Sequence, residues 1–265
     1  MKKILLLVIT ILTLLSLTAC SSASKNNAPL KIGVNPGPHA DIMEMVKKVA
    51  EKDGLKIQIV EFSDFIQPNM ALNQGDIDLN SFQHKPYMDA MVKDRKYDIH
   101  WVANTVVAPI GIYSQKVKNL QDVPNNAIVG IPNDPTNGAR ALLLLQKHNL
   151  IKLKSGVDLN ITTADIVSNP KNIQIKELEA ALIPRSLQDL TLAVINVTYA
   201  MSANLSPEKD ALALEDANTL YVNILAANGK TKDDPRVKTL IKAYRSKEVK
   251  EYVENKYKKS MICSW

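Results

Sequence analysis

AIVGIPNDPTNGARALLLLQKHN, residues 127–149, decides the fold class. Ile128, Val129 and Ile131 form a short apolar run rich in β-branched side chains, a strand signal. Pro132, Asp134 and Pro135 punctuate it, and from Gly138 the pattern becomes Ala, Arg and four leucines, a helix signal. A strand that feeds a helix through a tight turn is half of a β-α-β unit. Asp134 and Thr136 are placed to cap the helix, and Gly138 lets backbone approach closely. Arg140 is expected in the first turn, where the helix dipole disfavours a cation. Two readings stand: an anion site built from exposed N–H groups and the guanidinium, or a surface arginine paired with an acid.

The alternation continues on both sides. LKIGVN, LKIQIVEF and DIDLNSF read as strands, separated by the helical stretches ADIMEMVKKVAEKDG and FIQPNMALNQGD, the second ending at Gly75. KPYMDAMVKDRKY reads as a helix with Pro86 in its first turn. DIHWVANT, APIGIYS, IQIKELE, LAVINVTYA and YVNILAAN read as further strands. DPRVKTLIKAYRSKEVKEYVENKYKK reads as one long amphipathic helical segment, with Val237, Leu240, Ile241 and Tyr244 on one stripe. The chain is therefore α/β, with 265 residues and 46% hydrophobic side chains, enough for two lobes of roughly 100 residues. We expect a first lobe over 30–108, a second over 109–225, and 226–265 returning to the first, with a ligand cleft between them.

MKKILLLVITILTLLSLTAC, residues 1–20, has a different character. Lys2 and Lys3 precede a charge-free run that is too short to span a bilayer and ends at small residues before Cys20. LTAC resembles the lipobox of lipoprotein signal peptides, so 1–19 is expected to be removed and Cys20 acylated. Residues 20–29 then form a polar tether. Removing Lys2 and Lys3 leaves 31 basic against 27 acidic side chains, so the net charge falls from +6 to +4. Those charges are interleaved and form no basic stripe, which argues against nucleic acid as a partner. Cys263 is the only other cysteine, so no disulfide is expected within one lipidated chain.

No GxGxxG, GxxxxGK[ST], GxSxG or HExxH arrangement occurs, and each of the four histidines stands alone. No cofactor, metal or catalytic residue is expected on these grounds. Phe65, Phe82, His84 and Tyr87 are candidates for an apolar wall with polar tips. Asn196 and Asn223, in otherwise apolar strands, either stitch backbone together or face a polar ligand. A competing reading makes His84 a catalytic base with Asp64 or Asp89.

Over nearly the whole mature chain, ALNQGDIDLNSFQHKPYMDAMVKDR, VVAPIGIYS, IPNDPTNGARALLLLQKHNLIKLK, SNPKNIQIKELEA, PRSL and AVINVTYA resemble the MetQ/NlpA family of methionine-binding lipoproteins. That resemblance implies a type II periplasmic-binding-protein fold, each lobe a mixed sheet flanked by helices, and a non-enzymatic role. The chain would capture methionine, expected to be L-methionine, for an ABC transporter permease and its ATPase. Arg140 would clamp the ligand carboxylate, with Asn196 and Asn223 on carboxylate and amino group. Phe82, His84, Tyr87 and Phe65, where family members often carry tyrosine, would surround the thioether. The lipid on Cys20 would hold the chain at the cell membrane, facing the periplasm or the cell exterior. Binding of D-methionine or a methionyl dipeptide, or an adhesin-like surface role, are the alternatives.

Overall fold

The computed structural model describes residues 28–156 and 161–265. The leader over 1–19, Cys20 and most of the tether lie outside the described residues. The chain runs β1 (Leu30–Val34), α1 (Pro38–Lys52), β2 (Ile57–Glu61), α2 (Gln67–Gln74), β3 (Leu79–His84), α3 (Lys85–Arg95), β4 (Ile99–Val107), β5 (Ile110–Tyr113), β6 (Ile128–Pro132) and α4 (Pro135–Lys147). It continues with β7 (Lys152–Leu153), β8 (Ile166–Ser168), β9 (Gln174–Leu178), α5 (Ile183–Ser186), β10 (Leu192–Asn196), α6 (Val197–Ser202), α7 (Pro207–Asp210) and β11 (Ala211–Leu214). β12 (Val222–Asn228), α8 (Pro235–Tyr244), α9 (Lys247–Tyr257) and β13 (Ile262–Cys263) complete it.

Two mixed sheets organise these elements. The first has the order β13-β4-β12-β3-β1-β2, and the second β11-β5-β10-β6-β9. In the first, β1 pairs in parallel with β2 and β3, whereas β12 runs antiparallel to both β3 and β4. In the second, β6 pairs in parallel with β9 and β10, and β5 runs antiparallel to β10 and β11. On one face of the first sheet, Ile42, Met43 and Val46 of α1 meet Leu240 and Tyr244 of α8 and Val249 and Val253 of α9. On the second, Ala141, Leu142 and Leu145 of α4 pack onto Ile112, Val129, Ile131 and Val194. The chain passes between the sheets at Ala108–Pro109 and again through 215–221, short crossovers that leave a cleft along the facing strand ends.

Local chemistry sets the boundaries. Gly75 ends α2 with a left-handed φ of 83°, as its position predicts. Gly138 faces the strand before its helix: a Cβ there would lie 3.0 Å from the Pro132 carbonyl. Four expectations are revised. Arg140 falls in the second turn of α4, because Asp134 is the N-cap and Pro135 the first helical residue. LAVINVTYA is not one strand; β10 stops at Asn196 and α6 starts at Val197. The long C-terminal helix is two, since the Ser246 hydroxyl accepts the Val249 N–H at 3.2 Å and caps α9 just after α8 closes at Arg245. Asn223 was grouped with Arg140, but β12 begins at Val222 and lies in the first sheet, so the chain has crossed back before 226. Burial pushes the Cys263 thiol up to about 11, leaving little thiolate at neutral pH.

Candidate functional site

The cleft holds a cavity whose walls include Phe65, Phe82, His84, Tyr87, Arg140, Asn196 and Asn223, so all seven candidates converge. Strand ends place the polar groups. His84 terminates β3, Asn196 terminates β10, and Asp134 with the start of α4 follows β6, the carboxyl-end position where open α/β sheets bind ligands.

The aromatic wall belongs to the first sheet. Phe65 packs against Phe82 with ring centroids 5.8 Å apart and against Tyr87 at 6.2 Å, and Phe82 meets Tyr87 edge-on at 6.3 Å. Tyr87 donates its hydroxyl to the Phe65 carbonyl at 2.9 Å, which ties α3 to the loop carrying Phe65. That loop is held by Asn35, whose amide donates to the Phe62 and Asp64 carbonyls at 2.6 and 2.9 Å. Behind the wall, the buried amides of Asn69, Asn80 and Gln83 bond to one another at 2.7–3.0 Å. Phe65 also reaches across the cleft to Tyr199 of α6, ring centroids 4.6 Å apart.

His84 is the polar hinge of this wall. Its Nδ1 accepts the Tyr87 N–H at 3.1 Å, so Nδ1 is unprotonated and the proton sits on Nε2. Nε2 faces the Asn137 side-chain oxygen at 3.2 Å, which also accepts the Asn196 amide at 2.8 Å. Asn137, which sequence reasoning passed over, thus joins the two sheets. It sits three residues after the N-cap Asp134, whose carboxylate accepts its backbone N–H and its amide. Burial, then the Arg140 charge, pulls the His84 pKa down to about 3, and the ring is neutral. Neither ring nitrogen meets a carboxylate. Asp64 accepts the Ile66 and Gln67 N–H groups, and Asp89 pairs with Lys85 at the surface, so the acid-base pair of the competing reading does not form.

Arg140 is 2% exposed, not a surface residue. Glu215, in the β11–β12 crossover, accepts Nε at 3.0 and 3.1 Å and also pairs with Nη2. Nη2 donates to the Ala108 carbonyl in the other crossover at 2.9 Å, and the Tyr221 ring lies 4.5 Å below the guanidinium. Both crossovers therefore grip Arg140, and Nη1 alone has no hydrogen-bond partner among the described residues. The arginine does pair with an acid, as one reading held, but inside the cleft. Glu215 was invisible in the sequence, because 75 residues separate it from Arg140.

Two acceptors complete the polar end. The Asn196 side-chain oxygen is buried with no partner. Asn223 lends its amide N–H to His39 Nε2 at 3.3 Å and to the Phe82 carbonyl at 3.4 Å, and its oxygen takes no bond from the described residues. The cavity thus offers one open cationic donor, two open neutral acceptors and an apolar wall. Among the described residues no three His, Cys, Asp or Glu side chains cluster as metal ligands would.

The NlpA lipoprotein family model matches residues 30–265. The D-methionine-binding lipoprotein MetQ of Escherichia coli K12 is 46% identical over 95% of this chain and 94% of its own. Outer membrane lipoprotein 2 of Mannheimia haemolytica is 42% identical over 98% of each chain. A nutrient-binding protein from Burkholderia cenocepacia, solved bound to methionine, superposes with a TM-score of 0.87 at 50% identity, covering 89% of this chain and all of that one.

Proposed function

Because the chain belongs to the NlpA lipoprotein family, we propose that it is a substrate-binding lipoprotein that captures methionine between its two sheets and delivers it to an ABC transporter for import. The observation that carries this reading is the pairing of unfilled groups at one end of the cavity. Arg140 lines the cavity with Nη1 unbonded among the described residues, and the Asn196 side-chain oxygen is a buried acceptor without a partner among them, the complement of a zwitterion.

The ligand carboxylate takes Nη1, and the ammonium lies against the oxygens of Asn196 and Asn223. The thioether rests on Phe65, Phe82, His84 and Tyr87, where sulfur–aromatic contacts add roughly 0.3–1.5 kcal/mol each. Relatives are named for D-methionine, so both enantiomers are candidates. No reaction is assigned to the chain; the relatives are binding proteins.

The same reading makes this a membrane-associated lipoprotein whose anchor is the acylated Cys20 exposed by removal of 1–19, with the two sheets as lobes outside the cytoplasm. Its transport partners are a permease and a separate ATPase. Cys20→Ser is expected to abolish acylation and release the chain from membranes. The central test is calorimetric titration of the purified lipoprotein, stripped of ligand and held in detergent micelles, with L-methionine, D-methionine and a methionyl dipeptide. Saturable binding of a methionine enantiomer is expected, and a flat titration with both would overturn the assignment.

A further inference from the structure

The guanidinium of Arg140 has five N–H groups, and the structure allots them unevenly. Nε and one side of Nη2 go to Glu215, and Nη2 also serves the Ala108 carbonyl. Tyr221 covers a face of the group. Nη1 is the nitrogen left without a hydrogen-bond partner among the described residues, and the Arg140 side chain lines the cavity. Glu215 is itself fixed: its backbone N–H donates to the Ile110 carbonyl at 2.9 Å, and its carboxylate accepts the Thr219 hydroxyl at 3.2 Å. Among the described residues, Arg140 is the one formally charged side chain lining the cavity, and no acid lines it. The charge felt by a ligand is therefore set by Arg140 together with the carboxylate directly behind it.

We propose that Glu215 determines the charge selectivity of the cleft: by pairing with Arg140 it favours ligands that carry both a carboxylate and an ammonium over ligands that carry the carboxylate alone. This rests on the reading of the cavity as a methionine site. With Glu215 in place the pair sums to zero charge. A zwitterion adds none, and its ammonium gains attraction from Glu215 that offsets the repulsion felt by its carboxylate. A monoanion feels the repulsion without the offset. In a desolvated site such uncompensated terms are large, and a buried cation whose partner is removed draws an anion more strongly than a zwitterion.

The test compares L-methionine with 4-(methylthio)butanoate, the same skeleton without the amino group, by calorimetric competition on the full lipoprotein in detergent. In Glu215→Gln, which keeps an acceptor but loses the charge, the Kd ratio of the two ligands should narrow by about tenfold or more in favour of the monoanion. Glu215→Asp keeps the charge on a shorter arm. Both ligands should bind it more weakly, with the ratio within about threefold of wild type. A purely structural role for Glu215 would weaken both ligands together and leave the ratio unmoved in Gln, which overturns the proposal. A tenfold shift of the ratio in Asp overturns it independently, so the test survives a Gln variant that fails to fold. Wild-type protein that binds neither methionine enantiomer removes the site reading and this inference with it; wild-type binding with an unmoved ratio removes this inference alone.

Discussion

Arg140 has two duties that a surface arginine would not share. It lines the cavity and at the same time neutralises Glu215 inside the fold. Arg140→Ala should therefore damage binding and stability together. Losing a desolvated partner of the ligand carboxylate costs roughly 2–5 kcal/mol. That corresponds to an affinity about 30-fold to several thousand-fold weaker. Without ligand, the stranded Glu215 carboxylate should lower stability by about 2–4 kcal/mol, somewhat below the loss for a fully buried pair because Glu215 is 15% exposed. Arg140→Lys should recover part of each, since a point charge cannot meet the Glu215 edge and the cavity at once. Titration with methionine beside urea denaturation of the ligand-free protein checks both; an Arg140→Ala protein of unchanged stability would contradict the buried pairing.

The element that matters most to the site is the first turn of α4. Asp134 accepts the Asn137 N–H at 2.9 Å as a helix cap and clamps the Asn137 amide through both oxygens at 3.1 and 2.9 Å. Asn137 in turn orients His84 and Asn196 from opposite sheets. Capping and clamping can be separated. Asp134→Ala should cost about 1 kcal/mol of stability through the lost cap. Asp134→Ser retains a capping oxygen but cannot hold the amide, so it should melt close to wild type. Both should bind methionine about 10- to 100-fold more weakly, in proportion to a lost charge-assisted hydrogen bond of roughly 1.5–3 kcal/mol. Melting curves and titrations of the two variants decide this: wild-type affinity in Asp134→Ser would show that the clamp is dispensable.

At the scale of the whole molecule, a ligand gripped by both sheets stabilises the folded state by mass action. At a thousandfold excess over Kd the gain is about 4 kcal/mol. At about 2–4 °C per kcal/mol for a chain of this size, methionine should raise Tm by roughly 10 °C in scanning calorimetry, while glutamate and lysine should leave it unchanged. Acid acts in the opposite direction. Burial holds His39 down to about 4, and burial with the Arg140 charge holds His84 down to about 3, against 6.5 for an ordinary histidine. Below pH 6.5 the unfolded chain binds protons at both positions and the folded chain does not, so their contribution is intact above 6.5 and is lost as pH falls toward those lowered values. Between pH 6.5 and 5 the loss is roughly 1–2 kcal/mol for each, about 3 in all. In His39→Gln the decline over that interval should be roughly 1–2 kcal/mol smaller by urea denaturation; an unchanged decline would mean His39 is protonated in the fold.

What the sequence determined by itself is local. Period and capping residues were enough for the β6–α4 unit, the end of α2 at Gly75 and the start of α3 with Pro86 in its first turn, because strands, caps and turns depend on neighbours a few residues apart. The aromatic wall is legible for the same reason, since Phe82, His84 and Tyr87 follow one another along the end of β3 and the first turn of α3. The interruptions at Asn196 and Ser246 were masked by an apolar or amphipathic pattern that ran straight across them. The tertiary structure alone decided the rest: that β12 inserts between β3 and β4 and carries Asn223 to the first sheet, that Asn137 bridges His84 and Asn196, and that Glu215 meets Arg140. Those pairings join residues 53 to 141 positions apart. They depend on how two sheets cross and which ends face each other, and long-range packing carries no periodic signature in the chain.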